Sequence, residues 1–181
     1  NLNKTIYCDH HLSHTLSGYF YKNSLPVNSI VIDGYGDSSC STIHQIKSNT
    51  EIIKIWESDY PNSLGLFYSA ITDFLGFTIN EGEYKVMGLA AYSKPEYFDK
   101  LKETIYFKDN KLLIDDSYYD YVRSIKNSFS SKLIDLFEIN PRESNVNLDI
   151  NSSNFQTYAN IAASAQKVIE YNLTKIFKYA Y

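Results

Sequence analysis

The chain lacks any apolar run long enough to span a membrane, and no signal-peptide pattern stands at its start. A cytoplasmic protein with no membrane partner is the expectation. It also lacks an excess of positive charge: 17 Lys and Arg against 21 Asp and Glu leave a net charge of −4, with no basic run or basic helix face. That argues against a nucleic-acid partner held by bulk electrostatics. Cysteine is scarce. Cys8 and Cys40 are far apart, form no CxxC pair, and read as ordinary reduced thiols. No Ser-His-Asp order, Walker-type loop or Rossmann fingerprint occurs. Asp33 and Asp37 flank a glycine-rich turn, which is not how the paired carboxylates of glycoside chemistry are set.

What is present suits an ordinary globular core. The 181 residues are 44% hydrophobic and 21% charged, enough for one domain, with two small lobes as the alternative. Seventeen Tyr and ten Phe exceed normal usage, with a Tyr118-Tyr119-Tyr121 cluster. They read either as a stacking surface for sugars or bases or, more simply, as a chain-wide bias toward Tyr, Asn, Ile and Lys. The chain opens on Asn1 and closes on an amphipathic helical stretch, Ala159 to Tyr181, without a C-cap. It reads as a piece of a longer protein.

Spacing predicts a helix over 9–23, carrying Leu12, Leu16 and Tyr19, and a strand over 27–33 that runs into a glycine-rich turn. Strands at 41–46 and 51–57 pair as an antiparallel hairpin across Lys47-Ser48-Asn49-Thr50. A helix follows over Leu64 to Phe74, capped by Ser63 or Asn62. Residues 81–90 are a loop passing into a short helix, and another helix runs over 95–103 after the Ser93-Lys94-Pro95 break. A hairpin on an Asp-Asn turn joins 105–107 to 112–114. Residues 117–138 read as helix, 139–154 as a polar connection, and 155–181 as the longest helix. The class is α/β or α+β, with a mixed sheet.

Chemistry concentrates near the start. His10 and His14 are four residues apart, His11 and His14 three, so either pair shares one helical face and could grip a metal. His10 with His14 is the preferred pair, Asp33 at the strand end is the natural third ligand, and surface or capping histidines are the plainer alternative. Asp33-Gly34-Tyr35-Gly36-Asp37-Ser38-Ser39 offers N–H and O–H donors for phosphate, or is simply a tight turn. Glu83 could hold a ribose hydroxyl or base amine and Lys85 neutralise phosphate from a loop, or the two form a surface ion pair. Arg142 reads as an anion clamp or a solvated charge, Ser63 as a helix cap, and Met87 as core.

Taken in order, DHHLSH, IDGYGD, SLGLFYSAITDFLGF, GEYKVMGLAAYSKP and NIAASAQKVIE resemble the O-carbamoyltransferases of nodulation-factor and antibiotic biosynthesis, from Asp9 to about Glu170. The resemblance implies a partial actin-like ATPase (sugar-kinase-like) fold, mostly one lobe. It implies that carbamoyl phosphate and ATP form a carbamoyl adenylate, whose carbamoyl group passes to a hydroxyl of a sugar or small natural product. A divalent metal is implied, Fe2+ in relatives with Zn2+ or Mn2+ also suited, and Mg2+ with ATP. On this match His10, His14 and Asp33 are the metal ligands. Gly34, Gly36, Asp37 and Ser38 are the phosphate turn, and Glu83 and Lys85 lie beside the nucleotide. No catalytic residue is assigned.

The resemblance divides the chain into a partial metal- and nucleotide-binding core (1–104), a hairpin-plus-helix insertion (105–154) and a helix leading into a second lobe (155–181). The opposing lobe is not in this sequence, so the chain alone is expected to be inactive. Two other readings stand beside this one: a non-catalytic metal- or nucleotide-binding module, and a metal-dependent hydrolase using the same ligands.

Overall fold

In a computed structural model that describes residues 5–20, 24–124 and 126–181, the stretch from 27 to 59 carries seven Ile and two Val. It forms three strands, β1 (Val27–Gly36), β2 (Ser39–Ser48) and β3 (Glu51–Asp59), in the order β1-β2-β3. A second hairpin pairs β4 (Ile105–Lys108) with β5 (Lys111–Ile114). All pairs among the described residues are antiparallel, which corrects the expected mixed sheet. The physical reason is connection length: two-residue turns can join only antiparallel neighbours. Asp109 and Asn110 take φ of 51° and 60°, the left-handed conformation that such a turn requires.

Helix α1 (His10–Tyr19) packs on β1 and β2. The end of the expected 9–23 helix, 21–23, lies outside the described residues. Helix α2 (Leu64–Phe74) has the predicted bounds, and Ser63 Oγ accepts from the Leu66 N–H at 3.0 Å. Helices α3 (Glu83–Ala90) and α4 (Phe98–Leu101) follow; Glu83 and Lys85 therefore stand on a helix, not in a loop. The predicted 117–138 helix is replaced by two 3-10 turns (Asp116–Tyr118 and Asp120–Val122) and a short α5 (Ser131–Phe137). Asp and Ser compete with helix there by bonding nearby backbone: Asp115 accepts from the Ser117 N–H at 3.0 Å. Tyr119 is fully buried, so this stretch follows the core instead of a helical period.

Helix α6 (Phe155–Ala180) closes the structure, packing against α2, α3, α4 and β4. Phe67, Ile71 and Phe74 of α2 share one buried cluster with Leu112 and Phe137 of the 105–154 stretch and with Ile161 and Val168 of α6. Among the described residues no helix is long and apolar enough to cross a membrane.

Strand β2 is covered on both faces. Ile43 enters the apolar core, while Thr42 and His44 face α1, with His11 Nδ1 3.0 Å from Thr42 Oγ1 and Thr15 Oγ1 3.0 Å from His44 Nδ1. Burial lowers the pKa of both histidines below the ordinary 6.5. The unfolded chain then binds more protons than the folded one once pH drops below 6.5, so this part of the stability is complete above that pH and is lost below it. Thermal melts at about pH 7.5 and about pH 5.5 should show a lower midpoint in acid, with the drop reduced in His44→Gln.

Candidate metal centre

Two carboxylates anchor the start of α1. Asp9 Oδ1 accepts from the Leu12 N–H at 2.7 Å, and Asp37 Oδ2, from the β1–β2 turn, accepts from the His10 N–H at 3.0 Å. Both use the free N–H groups and positive end of the helix. From this anchored turn two adjacent stripes run down α1. His11 and Thr15 are buried against β2; His10 and His14 stand beside Asp33 at the end of β1.

Strand alternation sends Asp33 to the same face as Val31, which pairs with Thr42 under α1. His10 Nε2 lies 3.0 Å from Asp33 Oδ2 and 3.1 Å from His14 Nε2, and His14 Nε2 is 3.6 Å from the same oxygen. Donors bound to one metal at roughly 2.1 Å stand between about 3.0 and 3.4 Å apart; two sides of this triangle fall in that range and the third, at 3.6 Å, lies just beyond it, which makes the three groups a candidate set for one divalent cation. The three side chains are 43%, 54% and 36% exposed, which leaves the outer face open to further ligands. Burial pushes the Asp33 carboxyl pKa up. The His10 hydrogen bond, the Gly34 N–H and the nearby imidazoles outweigh it and hold the carboxyl below its usual range. Gly34 N–H donates to Asp33 Oδ1 at 2.6 Å and so turns Oδ2 toward the histidines.

Two glycines make this close approach feasible. A Cβ on Gly36 would fall 2.1 Å from His10 Cδ2, and one on Gly65 would fall 2.8 Å from Asp33 O and from Gly34 N and Cα. Ser63 Oγ also donates to the Gly34 carbonyl at 2.6 Å, seating α2 on the strand end. Gly65, and the bond from Asp37 to α1, carry no signal in the sequence, because both depend on partners far along the chain.

A family profile described as "Carbamoyltransferase N-terminus" matches residues 1–181, the whole of the chain that carries this triangle. The chain belongs to the carbamoyltransferase family. An uncharacterized protein of Synechocystis sp. is 33% identical over 167 residues, covering 91% of this chain and 26% of that protein. The nodulation protein NolNO of Sinorhizobium fredii is 34% identical over 119 residues, covering 66% of this chain and 17% of that protein. NolO of Bradyrhizobium diazoefficiens is 35% identical over 98 residues, covering 54% and 18%. The chain thus spans about a quarter or less of the length of these curated relatives.

The remaining expected residues of this carbamoyltransferase-family chain spread over several surfaces. Gly34 and Gly36 lie within β1, and only Asp37 and Ser38 form the turn. Glu83 lines a cleft with Leu64 and Gly65, where its Oε1 accepts from Ser69 Oγ and the Asn80 N–H, both at 3.0 Å. Lys85 lines a different cavity, with Asp149 and Phe155, and lies 5.8 Å from the Phe77 ring centroid. Met87, expected in the core, is 59% exposed. An i, i+1 offset along α3 turns it away from buried Val86.

Arg142 is neither an anion clamp nor a solvated charge. Its Nε donates to the Leu75 carbonyl at 2.6 Å and Nη2 to the Gly76 carbonyl at 2.8 Å, while Nη1 donates to Val146. It caps the carbonyl end of α2 and lies over the Phe77 ring. Arg142→Ala should destabilise the fold by about 1.5–3 kcal/mol, the range for hydrogen bonds to a charged group, read as a lower denaturation midpoint at unchanged slope.

Proposed function

We propose that the protein moves a carbamoyl group from carbamoyl phosphate, by way of a carbamoyl adenylate formed with ATP, to a hydroxyl of a sugar or small natural product. The observation that carries this reading is the His10–His14–Asp33 triangle in a chain of the carbamoyltransferase family. The parent fold on this reading is an actin-like ATPase whose second lobe lies outside these residues, and the chain alone is inactive. His10, His14 and Asp33 would hold the divalent cation, Fe2+ first. Two imidazoles and one carboxylate with open positions suit that metal, with Zn2+ or Mn2+ as substitutes and Mg2+ accompanying ATP. Such a cation supplies Lewis-acid neutralisation of the negative charge that gathers on phosphate oxygens.

The glycine turn supports the centre mainly by positioning. Gly36 seats the His10 ring, Asp37 holds the His10 N–H, and the Gly34 N–H orients Asp33. The Ser38 hydroxyl is the group of this turn left to meet a phosphate oxygen. Glu83 keeps Oε2 for a nucleotide hydroxyl, and Lys85 faces a separate cavity.

Calorimetric titration of ATP, with and without Fe2+ under anaerobic conditions, tests the reading on wild type and His14→Ala. Binding that requires Fe2+ and disappears in His14→Ala supports it. Binding indifferent to both metal and substitution sinks it. Where neither ligand binds this chain, the same titration of the full-length protein decides.

A further inference from the structure

A cavity of about 390 Å³ lies between the start of α1 and the β2–β3 hairpin. Strand pairing sets part of its lining. His44 lies opposite Lys54, and Ile52, two residues earlier on β3, shares the face of Lys54. Asp9 and Leu12, at the start of α1, and Asn49 and Thr50, at the hairpin tip, line the rest. None of these residues belongs to the metal triangle or to the cavities of Glu83 and Lys85.

One group marks this cavity as more than a surface crevice. His44 is only 5% exposed, yet its ring lines the cavity. Its Nδ1 is 3.0 Å from Thr15 Oγ1, and that hydroxyl has no other partner among the described residues. The hydroxyl therefore donates to Nδ1, and the neutral ring carries its own proton on Nε2. Burial, aided by Lys54, keeps the ring neutral at neutral pH. Nε2 has no protein partner among the described residues, and unlike His11 Nε2 it is not sealed from solvent. A buried histidine thus aims an unused N–H donor into the cavity.

The other polar groups divide by sign. Asn49 Oδ1 accepts from Tyr19 OH, which leaves the amide nitrogen of Asn49 to donate. Lys54 adds a positive charge, although its Nζ also meets Glu57 Oε2 at 2.7 Å. These three donors suit a carboxylate. Asp9 Oδ1 is engaged by the Leu12 N–H, and Oδ2 remains as an anionic acceptor for an amine. Leu12 and Ile52 supply apolar surface, and the volume lies within the range of small-molecule sites.

We infer that this cavity binds a free α-amino acid with an apolar side chain, its carboxylate toward His44, Asn49 and Lys54 and its ammonium toward Asp9. The inference stands apart from both the carbamoyl-transfer reading and the metal centre. Such a ligand would join α1 to the hairpin, as Tyr19 already does through Asn49.

Calorimetric titration of the full-length protein with L-leucine tests this, with leucinamide (no carboxylate) and isocaproate (no amine) as probes. Leucine should bind, leucinamide about tenfold more weakly and isocaproate about threefold more weakly. His44→Gln should weaken leucine about fivefold. Asn49→Asp keeps an acceptor for Tyr19 but sets a negative charge against the carboxylate, so leucine should bind at least about tenfold more weakly. Being exposed at the hairpin tip, that variant should melt as wild type, and it decides the matter where the buried His44→Gln variant melts early. No binding of leucine, equal binding of either probe, or leucine affinity indifferent to Asn49→Asp overturns the inference.

Discussion

Asp33→Asn is expected to bind a divalent cation more than about 100-fold more weakly than wild type, because even outer partners of a metal site are worth roughly 10- to 100-fold. The amide keeps the shape of the carboxylate and the acceptor that Gly34 N–H uses at 2.6 Å. What it removes is the negative charge facing His10 and His14. Two neutral imidazoles then remain, and hard divalent ions hold poorly to so small and uncharged a set. Circular dichroism should be unchanged while Fe2+ or Zn2+ titration loses its signal. An Asp33→Asn variant that binds as wild type would remove the triangle from consideration as the metal centre.

Gly65→Ala is expected to act on the fold itself. The added Cβ meets Asp33 O, Gly34 Cα and Gly34 N at 2.8 Å, and none of these backbone atoms can swing aside. Relief requires α2 to part from β1, at a net destabilisation of about 2 kcal/mol even after the gain that alanine brings to a helix. For a chain of this size that is a fall in melting temperature of roughly 4–8 °C. Gly36→Ala makes the useful contrast. There the clash, at 2.1 Å, is with the His10 ring, a side chain that can rotate away. Stability should change little and metal affinity should fall. Melting and titration together separate the two glycines, and an undisturbed melting temperature in Gly65→Ala would contradict the close approach of α2 to the strand end.

Much of the local architecture is legible in the amino-acid sequence alone. Ser63 capping α2 over Leu64–Phe74, the Asp109-Asn110 turn and the long final helix follow from interactions between residues a few positions apart, which a single sequence displays directly. The i, i+4 spacing of His10 and His14 is of the same kind, and with Asp33 it names the three groups that the fold brings together. Tertiary structure decided what distant partners control. His11 became a buried anchor because Thr42 lies 3.0 Å away, on a strand 31 residues on. Arg142 became a helix cap because the carbonyls of Leu75 and Gly76 reach it. Residues 117–138 gave up a continuous helix as Tyr119 was drawn into the core, and α3 sets Lys85 on a different surface from Glu83. The division is physical. Caps, turns and helical stripes depend on covalent neighbours, whereas the use of a side chain depends on which remote backbone or ring the packed chain sets against it.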